Sequence, residues 1–95
     1  LRMSKVSRES PELPAETQLE ENECQALQAY LNERDNLKIK KLGLRQAVHA
    51  IAQLGGFLGR KGDGEPGPGT IWLGLLRLHD ITMCWELFNQ TQQRT

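Results

Sequence analysis

Cysteine is scarce in this 95-residue chain: Cys24 and Cys84 are the two, and neither has a neighbour at CxxC spacing. That excludes a disulfide framework, and it removes the commonest zinc module. Both cysteines fall in segments of helical pattern, where an unpaired thiol serves as a small buried hydrophobe; a reducing, cytosolic setting fits this best. Aromatic residues make up only 5% of the chain and none interleaves with the basic residues, which excludes a stacking platform for single-stranded nucleic acid. No apolar run approaches the ~18 residues of a membrane span. The longest, Ile71 to Leu78, is interrupted by Gly74 and Arg77. No charged-then-apolar start reads as a signal peptide. The length allows one domain and excludes a multidomain enzyme. Because the first residue is Leu1, the chain reads as a piece of a longer protein.

Net charge is also missing, but only in the sum. Residues 1–33 hold three basic side chains against seven glutamates, a balance of −4. Residues 34–61 hold Arg34, Lys38, Lys40, Lys41, Arg45, Arg60 and Lys61 against Asp35 alone, a balance of +6. The rest comes to −2. A local basic block can meet phosphate, and it can equally be a solvated connector.

What the chain does have is helical periodicity. Residues 1–18 are poor in apolar side chains and contain Pro11 and Pro14, so they read as a flexible lead-in or linker. A first helix is expected over 20–34. Glu20, Glu21 and Glu23 crowd its positive end, and Cys24, Leu27, Tyr30 and Leu31 form one apolar stripe. The basic stretch from Leu37 to Gly43 alternates weakly, but an isolated strand has nothing to pair with, so it reads as loop. A second helix is expected over 44–58, with Leu44, Ala47, Val48, Ile51, Leu54 and Leu58 facing inward. Gly55 and Gly56 cost about 1 kcal/mol each in helix propensity, which points to a packing reason for keeping them. Glycine and proline then crowd residues 59–69, which can only be loop.

The third expected helix, 70–90 with Thr70 as N-cap, carries two apolar stripes. Ile71, Leu75, Leu78, Thr82, Trp85 and Phe88 make one; Trp72, Leu76, Met83 and Leu87 make the other. Two shorter helices cannot cover both. Either other helices of a parent protein supply the second cover, or another copy of the chain does.

Chemistry is hard to place. His49 and His79 have no ligand-type residues at metal-binding spacing, and Cys84 on a core-like helix reads as inert. Gly62 to Gly67 formally fits GxGxxG, but no strand precedes it and a proline stands where a helix should start. Arg60-Lys61-Gly62 fails the Walker pattern. Candidate DNA phosphate contacts are Lys38, Lys40, Lys41, Arg60 and Lys61, the last two on a glycine loop rich in free backbone N–H groups. The second helix lacks the polar recognition face of a helix-turn-helix reader.

The stretch Ala50-Ile-Ala-Gln-Leu-Gly-Gly-Phe-Leu-Gly-Arg-Lys-Gly-Asp-Gly-Glu-Pro-Gly67, followed by Thr70-Ile-Trp-Leu-Gly74 and Leu75-Leu-Arg-Leu78, resembles the C-terminal region of bacterial insertion-sequence DDE transposases of the transposon-five type. Residues 43–80 carry the specific likeness; 16–34 match more loosely through Leu19, Glu23, Leu27 and Leu31. The resemblance implies a non-catalytic helical domain through which two cut-and-paste transposases pair to hold two transposon ends. The family's three catalytic carboxylates and divalent metal, magnesium, belong to a core upstream, so no acidic residue here is assigned to them and no cofactor is expected in this chain. A bacterial, cytoplasmic protein is implied, nucleoid-associated when on DNA.

The expected architecture is therefore an all-α bundle of three main helices, 20–34, 44–58 and 70–90, with a dimerisation domain over 19–90 and a frayed tail over 91–95. Leu27 and Leu31 join the second helix in the core, and Trp72, Leu76, Met83 and Leu87 form the dimer interface. The partners are a second copy or a full-length transposase, with transposon-end DNA as a further candidate. Alternatives are a DNA-backbone-binding module, and a regulatory fragment that pairs with the full enzyme and inhibits it.

Overall fold

The computed structural model describes the backbone of residues 2–93 and the side chains of residues 3–90. It is all-helical: α1 spans Arg2–Glu9, α2 Glu21–Asp35, α3 Leu44–Leu54 and α4 Pro68–Gln93, with a short 3₁₀ turn at Ala15–Thr17. Four helices thus stand where three main ones are expected. The longest dimension is 49 Å against 24 Å across, and α4, about 39 Å long at 1.5 Å per residue, accounts for most of it.

The largest departure lies at the start. Residues 2–9 form a helix instead of an extended lead-in, and Met3 and Ser7 on α1 are buried. α1 packs on α3. The segment after it is fastened rather than loose: the Ala15 N–H donates to the Leu42 carbonyl at 2.9 Å and the Leu44 N–H to the Leu13 carbonyl at 2.7 Å. These two bonds form an isolated antiparallel bridge between Pro14 and Gly43. It buries Ala15, and Leu19 just beyond. Low apolar content misleads here because a two-turn helix needs only one or two side chains to dock.

α2 matches its expected range within a residue. Its start carries a capping box, with the Glu20 N–H donating to Glu23 Oε1 at 3.0 Å. Its end is Asn36 in the left-handed region at φ 54°, a conformation that asparagine tolerates. The basic connector after it is loop, as expected, and it is pinned. The Asn32 side chain accepts from the Ile39 N–H at 2.8 Å and donates to the Ile39 carbonyl at 3.1 Å, while Gln28 donates to that carbonyl at 2.7 Å.

α3 stops at Leu54, four residues short of the expected end, so Leu58 is not core but 68% exposed. The stop is a left-handed turn at Gly56, whose N–H donates to the Gln53 carbonyl at 3.0 Å while the Phe57 N–H donates to the Ala52 carbonyl at 2.9 Å. Gly55 beside it serves packing. A Cβ there would sit on the Thr70 carbonyl oxygen and 3.0 Å from the Gly74 nitrogen. Gly74 is the reciprocal position: its Cβ would fall on the Ile51 carbonyl and 2.8 Å from Ile51 Cγ2. The two glycines let the backbones of α3 and α4 touch, and this pair of helices makes the most extensive contact in the fold. Gly56 has a different reason, a φ of +97° with open space around it. The Arg77 side chain, from α4, donates to the Leu54 carbonyl, an otherwise unmatched group at the end of α3.

α4 begins two residues before the expected start, at Pro68, so Thr70 lies inside its first turn and is not the N-cap. It continues through Gln93, past the expected boundary at 90; residues 94 and 95 lie outside the described residues. Leu27, Leu31, Leu44, Val48, Ile51, Ile71 and Leu78 are buried together, with Leu54, Phe57 and Leu75 packed against them. That core forms where α2 and α3 clasp the inner face of α4.

Candidate functional site

The outer face of α4 follows from the same geometry. At 100° per residue, the buried Ile71, Gly74, Leu78 and Thr82 fall within an arc of about 80° facing α2 and α3. Trp72, Leu76, Met83 and Leu87 fall within an arc of about 60° on roughly the opposite side. They are 58%, 63%, 48% and 60% exposed respectively. The chain therefore leaves uncovered the second stripe that its own shorter helices could not reach.

Two residues widen that face beyond the sequence expectation. Leu73 is exposed beside Trp72, and Phe88, expected on the inner stripe, is exposed as well. Phe88 sits near the boundary of the inner arc, where stripe counting fails and only the positions of α2 and α3 decide. Trp85 stays half-buried, and the Asn22 side chain of α2 donates to Glu86 at the same level. Polar groups share the outer face: His79 and Asp80 lie midway along it, both exposed.

The basic candidates stand apart from this surface. Lys38, Lys40, Lys41, Arg60 and Lys61 are all exposed. Lys40 and Lys41 share a cleft with Glu16 and Glu21, and Arg60 pairs with Asp63 at 3.5 Å. Arg45 reaches Glu65 in the long loop at 3.3 Å.

The two thiols differ. Cys24 is buried with its Sγ 4.0 Å from the Leu19 carbonyl. Burial first, then the negative field of Glu16, Glu23 and Glu21, pushes its pKa up to about 11, so it is an inert thiol. Cys84, expected as a small buried hydrophobe, is exposed on α4. Among the described residues no cluster of three or more His, Cys, Asp or Glu side chains is placed to hold a metal ion, and no helix is long and apolar enough to cross a membrane.

Comparison with known protein families matches residues 1–87 to the Transposase Tn5 dimerisation domain, and the chain belongs to that family. The match takes in α1 and the fastened segment after it, as well as the glycine crossing and most of α4. No curated protein and no solved structure matches the chain. A domain of this family serves pairing between transposase chains and is not itself catalytic.

Proposed function

We propose that the outer stripe of α4 is the pairing surface, and that it joins two transposase subunits so that two transposon ends are held together during cut-and-paste transposition. The observation that carries this reading is a row of large apolar side chains, Trp72, Leu76 and Met83 with Leu87, exposed on the side of α4 turned away from the core. Monomeric proteins seldom leave such a row in water. The exposed lysines at positions 38, 40 and 41 offer the paired domains a surface for the DNA backbone.

The energetics favour a modest dimer. Each copy brings four such side chains, already about half covered, so covering all eight contributes roughly 0.75–1.5 kcal/mol each, half the value for full burial, set against an association cost of about 4–15 kcal/mol. The surplus is small, so the isolated chain dimerises in the micromolar range or more weakly, and a larger protein bound to DNA adds what is missing. Sedimentation across a hundredfold concentration range tests this. The parent chain is expected to pass from monomer to dimer. The double variant Trp72→Asp, Met83→Asp is expected to remain monomeric with unchanged helical circular dichroism. A double variant that still dimerises places the interface elsewhere, and one that unfolds makes the stripe part of the core.

A further inference from the structure

We propose that the cleft between α1, α3 and the loop leading into α4 binds a phosphate group. The cleft has a volume of about 170 Å³ and is lined by Ser4, Ser7, Arg8, Arg45, His49 and Glu65. At about 30 Å³ per water, that is room for a tetrahedral oxyanion with part of its hydration.

Two elements converge on it with donors. Arg8 comes from α1 and Arg45 and His49 come from the outer turns of α3, with the two serine hydroxyls between them. Guanidinium groups suit phosphate because their fixed fork of N–H groups matches its oxygens. Among the described residues Arg8 has no ion-pair partner. Ser7 is the second, independent indication. It is 1% exposed, it lines the cleft, and among the described residues nothing hydrogen-bonds to its hydroxyl. No fully buried side-chain oxygen among the described residues lacks a partner, so the little exposure that Ser7 keeps belongs to its hydroxyl. Here the hydroxyl is left available to the cleft.

Glu65 is the negative group in the cleft, and it explains how the site rests without ligand. Its carboxylate stands 3.3 Å from Arg45, longer than a charge-assisted bond at its best, and both side chains are nearly half exposed. Such a pair is weak and easily exchanged. The carboxylate therefore holds the place of an anion on Arg45 and competes with one.

The phosphate can be that of a DNA backbone or a free ion. To separate the two, the 95-residue chain is titrated at low ionic strength in a phosphate-free buffer, in one arm with inorganic phosphate and in the other with a short duplex. The amide resonances of Ser7, Arg45 and His49 are followed. Saturable shifts centred on these residues are expected in at least one arm; the duplex alone identifies a backbone phosphate, and inorganic phosphate alone a free anion. Arg8→Gln, on a surface side chain, is expected to weaken binding by about tenfold or more, the usual loss for one charged hydrogen bond. Glu65→Gln removes the competitor and is expected to tighten binding several-fold. Ser7→Ala is expected to weaken binding, because one of the cleft's donors is lost. Shifts confined to residues 38–41 and 60–61 in both arms overturn the proposal. So does a Glu65→Gln chain of unchanged affinity, or a Ser7→Ala chain that binds as tightly as the parent.

Discussion

Replacing Gly74 with alanine sets two effects of opposite sign against each other. Inside a helix, alanine is favoured over glycine by about 1 kcal/mol, because glycine loses more backbone freedom on folding. At Gly74, however, the added Cβ falls on the Ile51 carbonyl and lies 2.8 Å from Ile51 Cγ2, and the first of these neighbours is backbone that cannot rotate away. Relief requires α3 and α4 to separate along their whole contact, and overpacking of this kind costs typically 1–3 kcal/mol and sometimes more. The separation also loosens Ile51, Ile71 and Leu78, all fully buried at the crossing. Because the Cβ lands on backbone, the cost falls at the upper end, about 3 kcal/mol, and the net expectation is a loss on the order of 2 kcal/mol. For a domain of this size that lowers Tm by roughly 8–16 °C. Gly69→Ala is the control, since its Cβ meets nothing within 4 Å and it lies in the first turn of the same helix. That variant should be unchanged or more stable by a few tenths of a kcal/mol. Urea unfolding followed by circular dichroism, at concentrations low enough to keep the chain monomeric, gives both values. If Gly74→Ala is as stable as Gly69→Ala, the helices do not touch through their backbones, and the account of why glycine stands at positions 55 and 74 is wrong.

Two further outcomes follow from burial. The Cys24 thiol has its pKa raised from 9.0 to about 11, so its contribution is fully present below pH 9 and is lost as pH rises through 11, on the order of 2 kcal/mol in all. Cys24→Ala should flatten that part of the pH–stability curve, and a thiol reagent at neutral pH should modify the exposed Cys84 well before Cys24; equal rates would contradict the burial of α2's apolar stripe. Met3→Ala, which empties the contact of α1 with the core, should cost about 2 kcal/mol in thermal or urea unfolding. A neutral Met3→Ala result would mean that α1 is not docked.

Sequence periodicity reveals elements whose length lets a pattern repeat. α2 and the first three turns of α3 are read correctly because Leu27 and Leu31, and Leu44, Val48 and Ile51, recur often enough to fix a face. α1 is not legible, since two turns give Met3, Val6 and Ser7 no repeat to stand on and the prolines nearby argue for loop. The end of α3 is missed for another reason. Leu54 and Leu58 continue the spacing, yet a count of apolar residues does not register the left-handed turn with which Gly56 closes the helix. The Gly55-Gly56 pair does flag a packing constraint, without saying which helix imposes it.

α4 poses the harder case, because its pattern is ambiguous by construction. Apolar residues on both flanks cancel any single-sided preference, so periodicity shows two faces, and assigning the Trp72 face to the outside rests on what two shorter helices can cover rather than on the pattern itself. Burial ranks them: the face with Gly74 is inner because only glycine there permits the approach of α3, and that choice forces Trp72, Leu76 and Met83 outward. One residue without a side chain thus orients the whole helix. The outer face is the pairing surface proposed above. Its side chains lie outside the buried core, and in water they carry a standing liability for aggregation. On that proposal, assembly accounts for a face that the core does not require. The polar pair His79 and Asp80 at its midpoint limits how greasy the free surface becomes, a compromise suited to a chain that meets its partner only part of the time.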